Sequence, residues 1–258
     1  MVEDQIIEVR FDKNITEVLL NNTKQRNCIN SQFIERLNEE LTIAEQNPAC
    51  RVMSISAKGD TFCIGMDFSI VHQISNMSEE EIKKQGKQFY ELLSRLCQSR
   101  LIIVATVNGI VSAGGVGLIS ACDFVIAGTN SKFSLPEALW DLVPYCIAPF
   151  IVKRMGLQNA KTLALSTQQI SAKEAYTKQL VDEVVDNPNF ATRKLTNRIS
   201  RLQINSLHKI KSLFNSFNES YITRESEIID QYTTVMSKET VLNNITRFIQ
   251  EGKFSWET

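Results

Sequence analysis

The stretch Leu101–Gly128, LIIVATVNGIVSAGGVGLISACDFVIAG, decides the fold of this chain. The apolar run at its start predicts a fully buried strand that ends at Asn108-Gly109. The pair Gly114-Gly115 then leads into a short buried helix over Val116–Ala121, and Phe124–Ala127 predicts the next strand. Strands that recur through a helix, at intervals too long for hairpins, indicate parallel βαβ units.

Upstream of this stretch the sequence shows the same alternation of strands and helices. Two β-rich segments, Ile6–Phe11 and Ile15–Leu20, are separated by a turn-prone Asp-Lys-Asn. The other elements predicted there are a helix from Ile34 to about Asn47, a buried strand over Arg51–Ala57 and a helix opened by Ser78–Lys87.

Downstream, the pattern changes from mixed to helical. Residues Ser171–Glu174 (SAKE) have the spacing of a capping box that opens a helix. Val181–Val185 predicts one last short strand. From about Ala191 to Gln250 the apolar residues follow helical spacing, and breaks are expected near Asn218 and Ser237.

These patterns divide the chain into a core of strands and helices over residues 1–190 and a C-terminal helical region over residues 191–258. The helical region is too small to enclose a core of its own, so we expect it to pack on the main body or on another subunit. Its apolar residues at roughly helical spacing are Leu202, Leu207, Ile210, Leu213, Phe214 and Phe217.

Composition excludes several classes of protein. The chain has 258 residues, with 28 Lys+Arg against 29 Asp+Glu and a net charge of −1. That balance argues against a strongly basic nucleic-acid binder and a polybasic membrane-surface protein. No apolar run approaches the roughly 18–20 residues that span a bilayer, and the start, MVEDQIIEVRF, does not resemble a secretory signal. We therefore expect a cytoplasmic protein that binds neither nucleic acid nor membrane.

The metal-binding residue types are few or scattered. With only two histidines, His72 and His208, a multi-histidine metal centre or a Ser-His-Asp site has few available parts. We expect no metal and no cofactor. The cysteines show no CxxC spacing, and we interpret them as small buried residues in a reducing compartment rather than as zinc ligands or disulfides: Cys28, Cys50, Cys63, Cys97, Cys122 and Cys146.

Two glycine turns and one carboxylate indicate chemistry. Gly65 allows a sharp turn after which the next amide can point into a pocket. Gly114-Gly115 bring amides to a helix N-terminus, where a developing negative charge is stabilised. Glu137 stands among apolar neighbours, which favour a raised pKa and a role as a proton carrier. Each feature also has a structural interpretation: close packing for the turns, and a solvated acid opening a helix for Glu137.

In order and spacing, these segments resemble the crotonase, or enoyl-CoA hydratase/isomerase, superfamily over Ile6–Val185. The pieces that carry the resemblance are FCIGMDF, VNGIVSAGGVGLISACDFVIAG, FSLPEALWDLVP and QQISAKEAYTKQLVDEVV. The resemblance implies an α/β fold, a spiral of ββα units followed by a C-terminal helical trimerisation region, and hence a homotrimer or a hexamer. It also implies that the Met66 and Gly114 amides bind a thioester oxygen as it becomes an enolate, with Glu137 as acid and base.

The sequence departs from the family pattern at two places. Hydratases of the family usually carry a second glutamate at the position of Gly117, where this chain has no carboxylate. The segment Val143–Phe150 (VPYCIAPF) replaces a turn that is more often glycine-rich in the family, and we expect Tyr145 and Cys146 to enter the acyl pocket.

Those departures, with the GMDF turn and the ending GKFSWET, resemble the dehydratases of polyketide β-branching. That resemblance implies a lyase that dehydrates a 3-hydroxy-3-methylglutaryl group on an acyl carrier protein to the 3-methylglutaconyl thioester. The alternatives are an enoyl-CoA hydratase or Δ3-Δ2-enoyl-CoA isomerase that uses a single glutamate, and a non-catalytic relative that binds a carrier protein. The residues do not decide between a carrier protein and CoA.

Four further residues are predicted to bind the substrate. Lys24 and Arg26, in NNTKQRNCIN, match the family region near the pantetheine arm, and Lys253 approaches it from the C-terminal end, in its own or a neighbouring subunit. Each is equally interpreted as a solvated cation. Asp67 is a helper in the site or a cap for local amides. His72 lies just past the oxyanion turn and is interpreted as a surface or packing residue.

Overall fold

The computed structural model describes residues 6–68, 75–217, 224–254 and 256–257. Their strands form a six-stranded sheet in the order β1-β2-β3-β5-β7-β10 and a four-stranded sheet in the order β4-β6-β8-β9. The strands are β1 (Ile7–Asp12), β2 (Ile15–Leu20), β3 (Val52–Ala57), β4 (Thr61–Cys63), β5 (Ile102–Val107), β6 (Ile110–Ser112), β7 (Phe124–Gly128), β8 (Lys132–Ser134), β9 (Ile170–Ser171) and β10 (Glu183–Val185).

The described residues form ten α-helices. They are α1 (Ser31–Gln46), α2 (Glu79–Gln98), α3 (Gly114–Ser120), α4 (Ala148–Met155), α5 (Leu157–Ser166), α6 (Ala172–Thr177), α7 (Pro188–Ile199), α8 (Ile204–Ser216), α9 (Glu225–Met236) and α10 (Glu239–Glu251). Two short 3-10 helices cover Thr23–Gln25 and Glu137–Trp140. His72 and the break expected near Asn218 lie outside the described residues.

The chain winds as a spiral of strand–strand–helix turns. In each turn one strand joins the large sheet and the next joins the small sheet: β3 then β4, β5 then β6, and β7 then β8. The large-sheet strands of successive turns pair in parallel, and so do the small-sheet strands. This confirms the predicted α/β spiral of ββα units.

The central strands and the first strand were predicted from different properties of their sequences. All six residues of β5 are buried, because both faces of the large sheet are covered. Strand β1 pairs antiparallel with β2 at the sheet edge, and only Ile7 of its six residues is buried. Val9 and Phe11 are exposed, so its β-rich composition reflects strand propensity rather than a buried face.

Capping residues fix several helix starts. Ser78 and Glu81 form a capping box at the start of α2, and Ser171 and Glu174 form the predicted one at the start of α6. Helix α7 begins at Pro188 rather than at Ala191, because Asn187 caps the Phe190 amide and proline fits the first helical position. The boundary drawn at residue 190 therefore falls inside a helix, and the division into two regions stays a prediction.

The C-terminal helices pack on the spiral of the same chain. Ile228 and Ile229 of α9 enter the main core, and α9 contacts α2. Lys211 of α8 is buried, and its Nζ lies 2.7 Å from Asp123 Oδ2 and 2.9 Å from the Leu101 carbonyl oxygen. The expectation that this region packs on the main body is confirmed, as is the break at Ser237 between α9 and α10.

Some of the apolar residues that were predicted at helical spacing in the C-terminal region stay exposed in one chain. Leu207 packs in a core cluster with strands of the large sheet. Exposed apolar residues remain on α8 and beside it: Leu202, Ile210, Leu213, Phe214 and Phe217. The chain between α7 and α8, residues 200–203, is an additional break that was not predicted. The trimer stays a prediction.

The cysteines and the search for membrane spans give two further findings. All six cysteines are buried and free, which confirms their predicted place as small core residues. Among the helices of the described residues, none is long and apolar enough to cross a membrane.

Candidate active site

A cavity of about 690 Å³ lies between the spiral and the C-terminal helices. Eight of the nine predicted site residues line it: Lys24, Arg26, Met66, Asp67, Gly114, Glu137, Tyr145 and Cys146. Lys253 does not. It is half-buried in the chain after α10, where Gly252 with φ 68° ends the helix and turns the chain. The structure therefore brings the predicted acid, both turns and the proposed acyl-pocket residues into one space.

The backbone next to Met66 orients its amide. The Ile29 amide donates to the Gly65 carbonyl oxygen at 2.7 Å, and the Asp67 amide donates to the Ile29 carbonyl oxygen at 3.3 Å. In such a parallel bridge, the residue between the two bonds points its own N–H and C=O away from the partner chain. The Met66 amide therefore faces away from Ile29.

The two glycine turns contact each other. A Cβ added to Gly65, which has φ +87°, would lie 2.7 Å from the Gly114 nitrogen and 2.8 Å from the Ala113 Cβ. A Cβ on Gly115 would overlap the Cys63 carbonyl oxygen. Glycine at these positions is thus required by close approach of the backbones, which brings the two turns together at one wall of the cavity.

The Gly114 amide lies at the N-terminus of α3, where helical amides have no intrahelical partner. Its position is set by Ala113, which has φ +50° although it is not glycine. The Ala113 amide donates to the Ser134 carbonyl oxygen at 3.0 Å, which holds this conformation. Strained backbone that is held by its surroundings is common at functional sites.

Glu137 carries a carboxyl group in an environment that favours its neutral form. It opens the 3-10 helix after Pro136, and its Oε2 is buried with no hydrogen-bond partner among the described residues. Burial raises the pKa of Glu137 to about 7, and a hydrogen bond from its own backbone partly opposes that rise. Near neutral pH this group can therefore both accept and return a proton.

Ile147 fills the space beside Gly117. A Cβ added to Gly117 would overlap the Ile147 Cγ2 and lie 2.7 Å from the Ile147 Cβ. Ile147 lines the cavity, is 3% exposed and packs in the main core. Ile147 belongs to the segment after Glu137 that departs from the family pattern. The departure at position 117 and the departure in that segment therefore meet in one contact.

Tyr145, Cys146 and Tyr232 contribute to the wall near Gly86 of α2. The Cys146 thiol contacts the Gly86 carbonyl oxygen at 3.8 Å, and its burial raises the thiol pKa to about 12. A Cβ on Gly86 would overlap the Tyr232 ring. Burial also raises the pKa of Tyr232, which keeps its phenol neutral. This part of the cavity is lined by neutral groups.

The cavity is also lined by charged residues. Lys24 and Arg26 are exposed in and after the first 3-10 helix, and both line the cavity. Asp67 is buried beside Cys28, whose thiol pKa is raised to about 12 by burial and by the Asp67 carboxylate. Among the described residues, no group of three or more His, Cys, Asp or Glu is placed to hold a metal ion.

Some lining residues were not predicted. Ser112 and Ser134 end β6 and β8, and their hydroxyl oxygens lie 3.1 Å apart. Each directly follows a buried apolar residue, Val111 or Phe133, at the carboxyl end of a parallel strand, a place where ligands often bind, and that signal could have found them. Trp140 and Tyr232 also line the cavity. Their position depends on the packing of distant helices, for which the sequence held no signal.

Together these groups can stabilise an enolate and move a proton. Two amides at adjacent turns can bind an oxyanion, and a carboxyl with pKa near 7 can exchange a proton with a carbon next to it. Most of the surface that lines the cavity is apolar, which suits the hydrocarbon part of an acyl group better than a strongly hydrated polar group.

Comparisons with known proteins agree with this geometry. The chain is 28% identical over 257 residues to the bacillaene synthase dehydratase PksH of Bacillus subtilis, covering 100% of this chain and 98% of that protein. It is 25% identical over 258 residues to the crotonyl-CoA hydratase of Syntrophomonas wolfei, covering 98% of each. Both relatives match essentially along their full length.

Solved structures show the same fold. One from Bacillus subtilis, described as a polyketide biosynthesis enoyl-CoA hydratase, superposes with a TM-score of 0.90 at 27% identity, covering 97% of this chain and 99% of that one. An enoyl-CoA hydratase from Mycobacterium avium gives a TM-score of 0.87 at 22% identity, covering 98% of this chain and 100% of that one. The relatives support an enzyme of the hydratase and dehydratase type, a lyase. The sequence matches the profile of the enoyl-CoA hydratase/isomerase family over residues 10–258, and the chain belongs to that family.

Proposed function

We propose that this enzyme removes water from a 3-hydroxy-3-methylglutaryl group held on an acyl carrier protein and releases the 3-methylglutaconyl thioester. The observation that carries the proposal is the carboxyl of Glu137, whose Oε2 is buried with no hydrogen-bond partner among the described residues, in a cavity where Ile147 fills the space beside Gly117. The full-length similarity to the bacillaene synthase dehydratase supports the polyketide branch.

The reaction proceeds through an enolate. The Glu137 carboxylate accepts the α-proton, and the electron pair of the C–H bond moves into the enolate, whose oxygen is bound by the Met66 and Gly114 amides. The bond from the β-carbon to oxygen then breaks, and Glu137 returns its proton to the departing oxygen, so that water leaves. Removing one such amide donor typically costs about 2.7–4 kcal/mol of barrier lowering.

The charge distribution of the cavity fits a carrier-bound substrate. Lys24 and Arg26 are exposed cations that line the cavity, and they suit the phosphate of a pantetheine arm and an acidic carrier surface. Exposed charges are screened over about 8–10 Å at physiological ionic strength, so association is expected to weaken as salt rises. The acyl end contacts the neutral wall near Tyr145 and Cys146.

A second function is favoured by the same carboxyl. One glutamate that moves a proton between two carbons suffices for a Δ3-Δ2-enoyl-CoA isomerase, and the relatives include a crotonyl-CoA hydratase. Product mass separates these activities, because dehydration removes one water whereas isomerisation leaves the mass unchanged.

The test compares 3-hydroxy-3-methylglutaryl-carrier protein with 3-hydroxybutyryl-CoA at equal concentration, with mass spectrometry of the acyl group. We expect faster loss of water from the branched carrier-bound substrate, and a loss of activity of roughly 100-fold or more in Glu137→Gln. Asp141→Asn is the matched control. It changes an exposed carboxylate at the end of the same 3-10 helix, and asparagine suits its φ of 59°. Faster turnover of the straight-chain CoA thioester would refute the assignment.

We also propose that the chain forms a homotrimer or a dimer of trimers through the exposed apolar residues of α8. Ile210, Leu213 and Phe214 are 56%, 56% and 68% exposed, a degree of exposure that favours burial against another subunit. Sedimentation equilibrium at micromolar concentration is expected to give the trimer or hexamer mass. A stable monomer would contradict this.

A further inference from the structure

Two serine hydroxyls form a polar pair in an otherwise apolar part of the cavity. Strands β6 and β8 pair in parallel with Ser112 opposite Ser134, the last residue of each strand. Their Oγ atoms lie 3.1 Å apart, within hydrogen-bond distance. Both residues line the same cavity as Glu137 and Gly114.

The pair can donate one further hydrogen bond to a ligand. Each hydroxyl carries one donor proton, and the bond between the two uses one of them. Among the described residues, neither hydroxyl makes another hydrogen bond. One O–H is therefore available to an oxygen atom that enters the cavity.

The backbone holds the pair next to both reacting groups. Ser112 precedes the oxyanion amide of Gly114 by two residues, and Ser134 precedes Glu137 by three. The Ala113 amide donates to the Ser134 carbonyl oxygen at 3.0 Å, which fixes the two strand ends to each other. Ser134 is 8% exposed, so its side chain has few alternative positions.

In the proposed reaction Glu137 is the one group assigned to the leaving oxygen, and it must also take the α-proton. The β-oxygen develops negative charge as its bond to carbon breaks, and hydrogen bonds to charged atoms are the strong ones. A carboxyl group from position 117 could serve there in a two-glutamate site, but Ile147 occupies the space beside Gly117. The serine pair is a neutral donor that lines the same cavity as Gly114 and Glu137. The β-carbon of the substrate is separated from the thioester carbon by a single atom, so its oxygen stays near the oxyanion amides.

We propose that the Ser112–Ser134 pair binds the β-oxygen of the hydroxyacyl substrate and donates a hydrogen bond to it as it departs. This inference rests on the proposed dehydratase function. The proton that makes the leaving group water still comes from Glu137, and the serines end the step with the protons they began with. They are needed for cleavage of the carbon–oxygen bond but not for removal of the α-proton.

The experiment separates those two events. Ser112→Ala, Ser134→Ala and the double variant are assayed for dehydration of 3-hydroxy-3-methylglutaryl-carrier protein. They are also assayed for exchange of the α-proton of 3-methylglutaryl-carrier protein, which has no β-oxygen, in deuterated water. Ser120→Ala is the matched control, because Ser120 is also a buried serine but does not line the cavity. Thermal unfolding of each variant reports its stability.

We expect each single variant to lower kcat/KM for dehydration by about 10- to 100-fold. The double variant is expected to fall little further, because the two hydroxyls act as a unit. Exchange on the substrate without a β-oxygen should stay within about twofold of the wild-type rate, and Ser120→Ala should leave both rates unchanged.

Two results would overturn the inference: unchanged dehydration in the serine variants, or an equal fall in dehydration and in exchange. The second result would assign the pair a merely structural role or a role in enolate formation. A wild-type enzyme that neither dehydrates the branched substrate nor exchanges its α-proton would instead refute the proposed function.

Discussion

The contact between Gly117 and Ile147 makes a quantitative prediction about stability. Gly117→Ala places a methyl group in overlap with Ile147, which is 3% exposed and surrounded by core residues. Because the added Cβ would overlap the Ile147 Cγ2 and lie 2.7 Å from the Ile147 Cβ, we expect an overpacking cost in the upper part of the usual range, about 2–3 kcal/mol. The better helix propensity of alanine offsets about 1 kcal/mol of this. Gly117→Ala should therefore destabilise the protein by about 1–2 kcal/mol.

The interaction is measured by a double-mutant cycle. Ile147→Ala alone should cost about 2–5 kcal/mol because it leaves a cavity. Combined with Gly117→Ala it should cost less than the sum, because the new methyl group then occupies part of that cavity. The coupling should be about 1–3 kcal/mol in favour of the double variant, measured by urea unfolding of all four proteins.

The matched control is Ile55→Ala in β3, a fully buried isoleucine that is not among the atoms nearest to position 117. Its cost should add to that of Gly117→Ala within about 0.5 kcal/mol. Gly117→Glu should not raise dehydration, since its side chain meets the same obstacle. An additive cycle with Ile147, a Gly117→Ala variant as stable as wild type, or a clear gain in dehydration in Gly117→Glu would refute the reasoning.

Three further predictions concern Glu137 and Lys211. Because the base must be ionised and burial raises the Glu137 pKa to about 7, kcat/KM for dehydration should rise with pH through about 7 and then level off; a flat profile would contradict this. The ordinary pKa is 4.5, so the folded state binds the proton more tightly than the unfolded state does, and wild-type stability should fall as pH rises from about 4.5 to 7. The stability of Glu137→Gln should not fall over this pH range, and at pH 8 the variant should be more stable than wild type by about 3 kcal/mol in urea unfolding. An equal loss of stability with pH in the two proteins would contradict this. Lys211→Met should lower the free energy of unfolding by about 3–5 kcal/mol, because it leaves the Asp123 carboxylate without its buried partner. Lys209→Met, at an exposed lysine of the same helix, should leave the stability unchanged in thermal unfolding. Similar effects of the two variants would argue against a role for the ion pair.

Local patterns in the sequence were enough to predict most of the spiral. Strands β5 and β7 are predominantly apolar because both faces of the large sheet are covered, and that run of residues is visible in the sequence. Ser171 and Glu174 likewise predicted a cap that involves only neighbouring residues. The early start of α7 was missed although Asn187-Pro188 is a local signal for it.

The candidate site was predictable where it depends on backbone turns, and not where it depends on distant contacts. Met66, Gly114 and Glu137 lie in segments whose residues and order resemble the family, and one cavity holds all three. The filling of the space beside Gly117 by Ile147 joins residues far apart in sequence. No periodicity or composition reveals such a contact, because the spiral and the later loop must first be placed relative to each other.

The helix that carries Glu137 packs against residues that come much later in the sequence, in and after α10. Trp140 in that helix contacts Phe248 of α10 with ring centroids 5.2 Å apart, and Phe254 beyond α10 with centroids 6.1 Å apart. Synthesis proceeds from the N-terminus, so these aromatic partners leave the ribosome well after Glu137 does. We therefore expect a nascent chain to possess its carboxyl and both amides well before the carboxyl is screened from water. The enzyme would then acquire its reactive proton carrier only after α10 and Phe254 have been synthesised, and proteolysis that removes this segment would return Glu137 to the solvated state.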